Sequence, residues 1–281
     1  MMGLRDRILR SVFLWAAVLS SFATLSVFGF VAFLSLPVME NGMLGEILTG
    51  PWSPDHGQFG IFPMIMGTLY IASLSLVIAF PLSLGCSFFI EIVRPSGPGK
   101  LVKKMVQLMT AVPTVIYGFV GVFLLVPLVR TIFSYGSGMC ILSASLMLGF
   151  LISPTMILFF SQSFARVPKS YLDAVDALGG SPFQKLIHVI LPQAWPGILT
   201  GLILAFGRAM GDTLIALMIS GNSVAAPGSL LDSARALTAH IALVIAADFE
   251  SVEFTTIFVS GSILYMITGI GILLARTGKA S

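Results

Sequence analysis

Charged side chains are scarce in this sequence of 281 residues, because Asp, Glu, Lys and Arg together make up only 10% of it. A soluble globular protein carries about 25% charged residues, so this chain has too little polar surface to cover a body in water. Hydrophobic residues make up 57%, and the mean hydropathy is +1.01, which excludes intrinsic disorder. We therefore predict an all-α integral membrane protein whose helices each cross the bilayer with about 20 apolar residues.

Cysteine is scarcer still, with only Cys86 and Cys140, so a secreted scaffold held together by disulfides is excluded. The three His residues have no metal-ligand spacing, and we expect no metal and no cofactor. The sequence has no Gly-x-x-x-x-Gly-Lys-Ser/Thr loop, so we expect a chain that is not an enzyme and leaves ATP hydrolysis to a partner. The longest basic run is Lys103-Lys104, which argues against nucleic acid as a partner.

Six long apolar stretches predict six transmembrane helices. The predicted spans cover residues 11–38, 61–92, 105–129, 138–160, 197–220 and 254–274. The first stretch is longer than the hydrophobic region of a secretory signal, which has about 7–15 residues, so we expect it to remain as a span. The predicted divisions are an N-terminal span with the first outer loop (1–60), a core of five spans (61–275) that includes a cytoplasmic loop at about 165–196, and a cytoplasmic tail (276–281).

Basic residues are distributed asymmetrically between the loops of this layout. Lys and Arg near the ends of spans mark the cytoplasmic side of a membrane protein. With the N-terminus inside, the inner segments hold most of the fifteen basic residues, namely Arg5, Arg7, Arg10, Arg94, Lys100, Lys103, Lys104, Arg166, Lys169, Lys185, Arg276 and Lys279. Of the others, Arg130 and Arg235 lie outside and Arg208 lies within a span. The bias predicts cytoplasmic N- and C-termini.

The stretch 230–247 allows a seventh span as an alternative. It is apolar enough to suggest a transmembrane helix, but it contains Asp232, Arg235 and His240, each of which is costly at the centre of a bilayer. A seventh span would also move the basic C-terminal tail to the outside. We therefore favour a re-entrant or surface helix that is buried against protein.

The polar segment between the fourth and fifth predicted spans reads PKSYLDAVDALGGSPFQKLIHVILPQAWP at 168–196. It predicts two short helices, because Ser170 and Ser181 each begin a capping pattern and Gly179-Gly180 forms a helix stop between them. Apolar residues at helical spacing give each helix an apolar face. These faces either pack on the chain's own spans or dock a soluble partner, and the residues alone leave both possibilities open.

Two charged residues, Arg208 and Asp212, fall inside the fifth predicted span. Their spacing of four predicts one helix face and pairing distance, at a depth where each charge costs about 3 kcal/mol on insertion scales. They form either a structural ion pair or a substrate path, since Arg donates two parallel hydrogen bonds to an oxyanion and Asp can hold the Arg or exchange with the anion. Glycines spaced four residues apart, Gly197 with Gly201 and Gly207 with Gly211, predict helix faces of small residues on which other helices can pack closely.

The polar segment at 168–196 resembles the EAA loop of ABC importer permeases. The family pattern is Glu-Ala-Ala, three residues, Gly, nine residues, Ile, one residue and Leu-Pro. The corresponding residues here are Asp173, Ala174, Val175, Gly179, Val189, Leu191 and Pro192. The resemblance implies a coupling helix that fits a cleft in the ATP-binding subunit, with Asp173, Ala174, Gly179, Leu191 and Pro192 at the contact. Asp173 keeps the charge of the family Glu but shortens its reach.

A second resemblance covers most of the chain, from about residue 52 onward. The sequence GRAMGDTLIALMISGN at 207–222 is similar to the R-A-x-G-E-T-M-x-x-x-M-x-x-G-N signature of phosphate-importer permeases of the PstC type. Shorter similar stretches are WSP at 52–54, FGIFPMIMGT at 59–68, VPTVIYG at 112–118 and LTAHI at 237–241. The resemblance implies six helices in the type I importer permease fold, with Arg208 and Asp212 on the substrate path and Asp212 in place of the family Glu.

The two resemblances together imply a permease subunit of an ATP-driven phosphate importer in the bacterial inner membrane. The implied partners are a second, PstA-like permease, two ATP-binding subunits and an extracytoplasmic phosphate-binding protein. The ATP-binding subunits would drive alternating access through the EAA loop. The alternatives are a permease for another oxyanion (molybdate, sulfate or phosphonate) and, in a different class, a self-sufficient membrane carrier or a membrane-embedded enzyme.

Overall fold

The structure, a computed structural model, describes residues 4–40, 42–248 and 251–277. Regular structure in these ranges is almost entirely helical, as the composition predicts. The α-helices are α1 (Leu4–Glu40), α2 (Leu44–Thr49), α3 (Phe62–Phe88), α4 (Pro98–Met109), α5 (Thr114–Val120), α6 (Val126–Phe133), α7 (Ile141–Ala165), α8 (Lys169–Ala177), α9 (Pro182–Lys185), α10 (Leu191–Met210), α11 (Leu214–Ile219), α12 (Leu237–Val244) and α13 (Val252–Thr277). Three π-helical segments extend or join them, at Phe89–Val93, Gly121–Leu125 and Leu186–Ile190.

Six helical stretches in the described part of the chain are long and apolar enough to cross a membrane, which confirms the predicted number of spans. They are Leu9–Leu36, Phe62–Val93, Thr114–Phe133, Ile141–Ala165, Pro182–Met210 and Val252–Gly271. The disputed stretch at 230–247 contains only α12, whose eight residues rise about 12 Å, far less than the ~30 Å of a hydrocarbon core. The structure therefore has a short helix buried against protein at this place, as favoured above.

The third span begins later than predicted. Residues 98–109 form the separate helix α4, and the span starts at Thr114 rather than near residue 105. The reason is the pair Val112-Pro113, because a residue before proline is driven out of the helical region and Pro113 then forms the N-cap of α5.

The fifth span begins and ends earlier than predicted, at Pro182 and Met210 instead of 197 and 220. A π-helical segment comes directly before Leu191 and Pro192, so the helix continues where proline lacks an N–H donor. Part of the predicted cytoplasmic loop is therefore the first half of the fifth span.

The helix α7 lies at the centre of the core, packed between α3 and α10. Its side chains Ile152, Met156 and Phe160 are fully buried. Small polar residues bridge α3 and α7: the Ser87 hydroxyl donates to the carbonyl of Ile157 at 3.1 Å. Such serine contacts let two apolar helices approach closely in a membrane protein.

The helix α1 lies at the edge and contacts α13, where the rings of Phe28 and Tyr265 stack at 4.6 Å. Most of its large apolar side chains face outward, such as Phe13, which is 71% exposed. An apolar surface of this extent requires lipid or another protein against it.

The outer loop after α1 contains a two-stranded antiparallel hairpin, β1 (Trp52–Ser53) and β2 (Gln58–Phe59). Gly60 approaches the backbone of Gly50 so closely that a Cβ would lie 2.1 Å from its carbonyl carbon, which only glycine permits. The hairpin places Trp52 against α12.

Candidate substrate pathway and coupling surface

The two candidate pathway residues lie on either side of a break between helices. Residues 211–213 are not helical and separate α10 from α11. Arg208 lies in the last turn of α10, which closes with a hydrogen bond from the Gly211 N–H to the Gly207 carbonyl at 3.1 Å. Asp212 follows the helix, so the prediction that both residues share one helix face is wrong. Gly211 has low helix propensity, and Asp212 favours the start of the next helix.

Arg208 is an exposed residue. Its Nη1 donates to the Thr155 Oγ1 on α7 at 3.4 Å. In the described residues no carboxylate oxygen lies within 4.0 Å of it, although Asp212 is near enough to interact with its charge. The structural ion pair considered above is therefore not formed, and most guanidinium donors are open to an external anion.

Asp212 is half-buried and acts as a local cap. Its Oδ1 accepts a hydrogen bond from the Ile215 N–H at 2.8 Å, at the start of α11. Its main-chain carbonyl accepts a hydrogen bond from the Thr238 Oγ1 at 2.9 Å. The other carboxylate oxygen, Oδ2, has no hydrogen-bond partner in the described ranges. Asp212 thus fixes the geometry of the break while keeping one oxygen able to accept a proton donor.

The glycines of α10 divide into a packed pair and an open pair. A Cβ on Gly197 would lie 1.9 Å from the Ser163 Oγ, and a Cβ on Gly201 would lie 3.0 Å from side chains of α7. These two confirm the predicted close packing. A Cβ on Gly207 would have no atom within 4 Å, and one on Gly211 would meet only the helix's own carbonyl. The α10 surface beside Arg208 is therefore open in this chain.

The start of α12 is bound to both α3 and the break. The Thr68 Oγ1 on α3 accepts a hydrogen bond from the Leu237 N–H at 2.8 Å, and Thr238 holds the Asp212 carbonyl. Both threonines are buried. The sequence motifs at 59–68 and 237–241 contain these threonines, but nothing in the sequence indicated that they meet or that they hold the break.

His240, within α12, is an uncharged residue packed in the protein interior. It is fully buried, and the Trp52 ring meets it edge-on at 4.4 Å. Its Nε2 lies 3.3 Å from the Thr256 Oγ1. Burial and the nearby charge of Arg235 lower the pKa of His240 to about 4, so the ring is neutral at physiological pH.

The first part of the predicted coupling surface is an exposed helix. No residue of α8 is buried, and Asp173, Ala174 and Gly179 all face outward. The helix begins without a side-chain cap after Pro168, so the predicted capping role of Ser170 is wrong.

The turn between α8 and α9 has the predicted form. Gly179 adopts φ +73°, which favours glycine, and ends α8. The predicted capping box at Ser181 is present: the Ser181 Oγ accepts from the Gln184 N–H at 3.3 Å, and the Gln184 Oε1 accepts from the Ser181 N–H at 2.8 Å. Lys185 also pairs with Asp176 across the turn. The turn is therefore a well-defined surface feature.

The second part of the predicted coupling surface contains an apolar groove of about 370 Å³ between α8 and the start of the fifth span. Pro192 lines the groove, while Leu191 beside it packs into the core. The other lining residues are Tyr171, Ala174, Val175, Leu178, His188, Val189 and Gln193. Leu178, at its rim, is 89% exposed, and Phe183 of α9 is 64% exposed. The apolar faces of the two short helices are thus only partly covered by the chain itself.

Residues 83–275 match a protein family described as "Binding-protein-dependent transport system inner membrane component". The chain belongs to this family. Members of this family are transport components, and the six apolar helices make this one a multi-pass membrane protein.

Three relatives with names of transport permeases align with most of this chain. A protein of Bacillus subtilis named "Probable ABC transporter permease protein YqgH" is 32% identical over 82% of this chain and 76% of its own length. A Methanocaldococcus jannaschii protein named "Probable phosphate transport system permease protein PstC" is 31% identical over 70% and 69%. A protein of Xylella fastidiosa named "Phosphate transport system permease protein PstC" is 28% identical over 80% and 75%.

Solved structures agree on the fold of this family member. A chain of the bacterial alginate ABC transporter, solved with a pentasaccharide-bound periplasmic protein, covers 97% of this chain and 95% of itself, with a TM-score of 0.64 at 15% identity. A chain of the MetNI methionine ABC transporter in an inward-facing conformation covers 77% and 95%, with a TM-score of 0.59 at 16% identity. At these identities the likeness concerns the fold, which is that of the type I ABC importer permeases.

Proposed function

We propose that this chain is the permease subunit of an ATP-driven importer of inorganic phosphate. The observation that carries the proposal is the exposed Arg208 beside a helix break, on an open face of α10, with no carboxylate partner among the described residues. A cationic guanidinium with free donors suits a tetrahedral oxyanion, which it binds through two parallel hydrogen bonds. The names of the relatives from Methanocaldococcus and Xylella support phosphate as that oxyanion.

Asp212 supplies the complementary group in this proposal. Its Oδ1 is occupied by the Ile215 N–H, while Oδ2 can accept a hydrogen bond from the protonated oxygen of HPO₄²⁻ or H₂PO₄⁻. An oxyanion without a proton, such as sulfate, offers no donor to Asp212. The pair therefore favours phosphate.

The exposed surfaces of the chain support the following assembly. A second permease completes the path on the open Gly207 face of α10. One of the two ATP-binding subunits docks on the groove that Pro192 lines in this chain, and the other docks on the second permease. An extracytoplasmic phosphate-binding protein delivers the anion to the outer side. The N- and C-termini lie in the cytoplasm, as the distribution of basic residues predicts. ATP-driven closure moves the EAA segment, and alternating access opens the path at Arg208 from outside to inside.

The test is the variant Arg208→Gln in the complete transporter, reconstituted in vesicles with radiolabelled phosphate outside. Loss of a charge-assisted hydrogen bond costs about 1.5–3 kcal/mol, so we expect phosphate uptake to fall by at least about tenfold. Arg208→Lys keeps the charge and should retain more uptake than the Gln variant. Co-purification of the partner subunits serves as the control for assembly. Unchanged uptake by an assembled Arg208→Gln transporter would refute the pathway role, and stronger competition by sulfate or molybdate than by phosphate would refute the substrate.

A further inference from the structure

The helix α4 is held at one surface of the membrane by the chain on either side of it. It joins the second span, which ends at Val93, to the third, which begins at Thr114, through the short connections 94–97 and 110–113. Because both spans end at this level, the twelve residues of α4 cannot move far from the bilayer surface. A helix in this place meets acyl chains on one side and headgroups and water on the other.

One apolar stripe of α4 packs on the protein. Val106 is only 5% exposed and lies in a small cluster with Ile90 of the second span and Ile157 of α7. The partly buried Val102 lies one turn away on the same side. This stripe fixes how the helix is rotated about its axis.

A second apolar stripe of α4 faces away from the protein. Leu101, Met105 and Leu108 are spaced four and three residues apart, so they share one helix face. They are 61%, 58% and 70% exposed, respectively. The chain's own core therefore covers only the first apolar stripe of α4, and the second stripe requires another apolar neighbour.

The polar face of α4 is basic. Lys103 is bound to Glu91 of the second span at 2.8 Å. Lys100 and Lys104 are exposed and have no carboxylate within 4.0 Å in the described part of the chain. Lys104 lies three residues after Leu101 and four before Leu108, so its ammonium group is next to the exposed apolar stripe. Long Lys side chains in this position reach the headgroup level while their stems stay in apolar surroundings.

We propose that α4 binds anionic phospholipid headgroups at the membrane surface. Leu101, Met105 and Leu108 insert among the acyl chains, and Lys100 and Lys104 pair with the headgroup phosphates. Charge complementarity and the position of α4 between two spans favour an anionic lipid as the neighbour of this surface. The ammonium groups of Lys100 and Lys104 match its phosphate, and the apolar stripe beside them matches its acyl chains. This inference is independent of the transported anion and of Arg208.

The experiment measures which lipid contacts the exposed stripe of α4. The complete transporter carries Leu108→Cys labelled with a fluorophore, with Cys86 and Cys140 replaced by Ala, and is placed in nanodiscs of equal parts phosphatidylglycerol and phosphatidylcholine. Bromine on the acyl chains of one lipid or the other quenches the fluorophore on contact. We expect stronger quenching by brominated phosphatidylglycerol, reflecting an enrichment of roughly fivefold per lysine at low salt.

The double variant Lys100→Gln/Lys104→Gln should bring the two lipids to equal quenching, since it removes the charge and keeps the apolar stripe. Lys103→Gln is the matched control on the same helix and should keep the preference, because Lys103 already has Glu91 as its partner. Absence of quenching by either lipid would show that a protein subunit covers the stripe and would overturn the proposal. A preference that persists in the double variant would overturn it as well.

Discussion

Asp212 is held by hydrogen bonds at its carboxylate and at its main-chain carbonyl, from a neighbouring residue and from a distant one. Its carboxylate caps α11 through the Ile215 N–H, and its carbonyl accepts the Thr238 hydroxyl. A carbonyl at a helix break has lost its helical donor, so the threonine replaces a backbone hydrogen bond. The direction in which the Asp212 carboxylate points therefore depends on the first turn of α12.

The variant Thr238→Val tests this dependence at a single residue. Valine has nearly the shape of threonine but no hydroxyl, so the Asp212 carbonyl loses its donor, which costs about 1–3 kcal/mol at a buried site. We expect a lower melting temperature of the purified chain and reduced uptake by the assembled transporter. Thr238→Ser keeps the donor and should preserve most of the uptake. Wild-type uptake by Thr238→Val would show that the hydroxyl does not position Asp212.

At the level of elements, the segment before α12 depends on close backbone contact with α3. A Cβ on Gly67 would lie 2.5 Å from the carbonyl oxygen of Arg235, which is a backbone atom and cannot turn aside as a side chain can. The hydrogen bond from the Leu237 N–H to Thr68 is formed one residue further along α3. Gly67 therefore permits the contact that brings Thr238 to the break.

The substitution Gly67→Ala should push this segment away from α3, whereas Gly85→Ala on the same helix should not. A Cβ at Gly85 has no neighbour within 4 Å, and alanine is favoured over glycine in a helix by about 1 kcal/mol. We expect Gly67→Ala to lower both the melting temperature of the chain and its phosphate uptake. Gly85→Ala should leave the uptake unchanged and should leave the melting temperature unchanged or raise it. Equal behaviour of the two variants would contradict the close contact at Gly67.

The spans were predictable because about 20 consecutive apolar residues have few other structures available. The helix boundaries that were predicted wrongly lie where proline and glycine act with their neighbours. Pro113 begins the third span separately from α4, and Gly211 ends α10. The pairing of Arg208 with Asp212 failed for the same reason, since the spacing argument holds only in an unbroken helix. The contact of Thr238 with Asp212 depends on the packing of distant segments, which no local pattern encodes.

At the level of the whole molecule, the candidate coupling groove and the candidate pathway residue Arg208 lie at opposite ends of the fifth span. Near its start is the apolar groove beside Pro192, and at its end is the exposed Arg208. The stretch Pro182–Met210 joins them without a non-helical interruption and packs closely on α7 through Gly197 and Gly201. A force applied at the groove would therefore reach the Arg208 site through one continuous element.

The apolar groove beside Pro192 is the proposed docking surface for an ATP-binding subunit. Leu178 is 89% exposed at the groove rim, and its burial by a partner would remove a large apolar surface from water. Leu178→Glu places a carboxylate in that contact, and we expect it to weaken binding of the ATP-binding subunits by about thirtyfold or more, the scale of an interface hot spot. Leu178→Met conserves volume and apolarity and should assemble normally. The melting temperature of the isolated chain should be unaffected by either substitution, because Leu178 packs on little of the chain itself. Normal co-purification of the Glu variant would place the docking surface elsewhere on the chain.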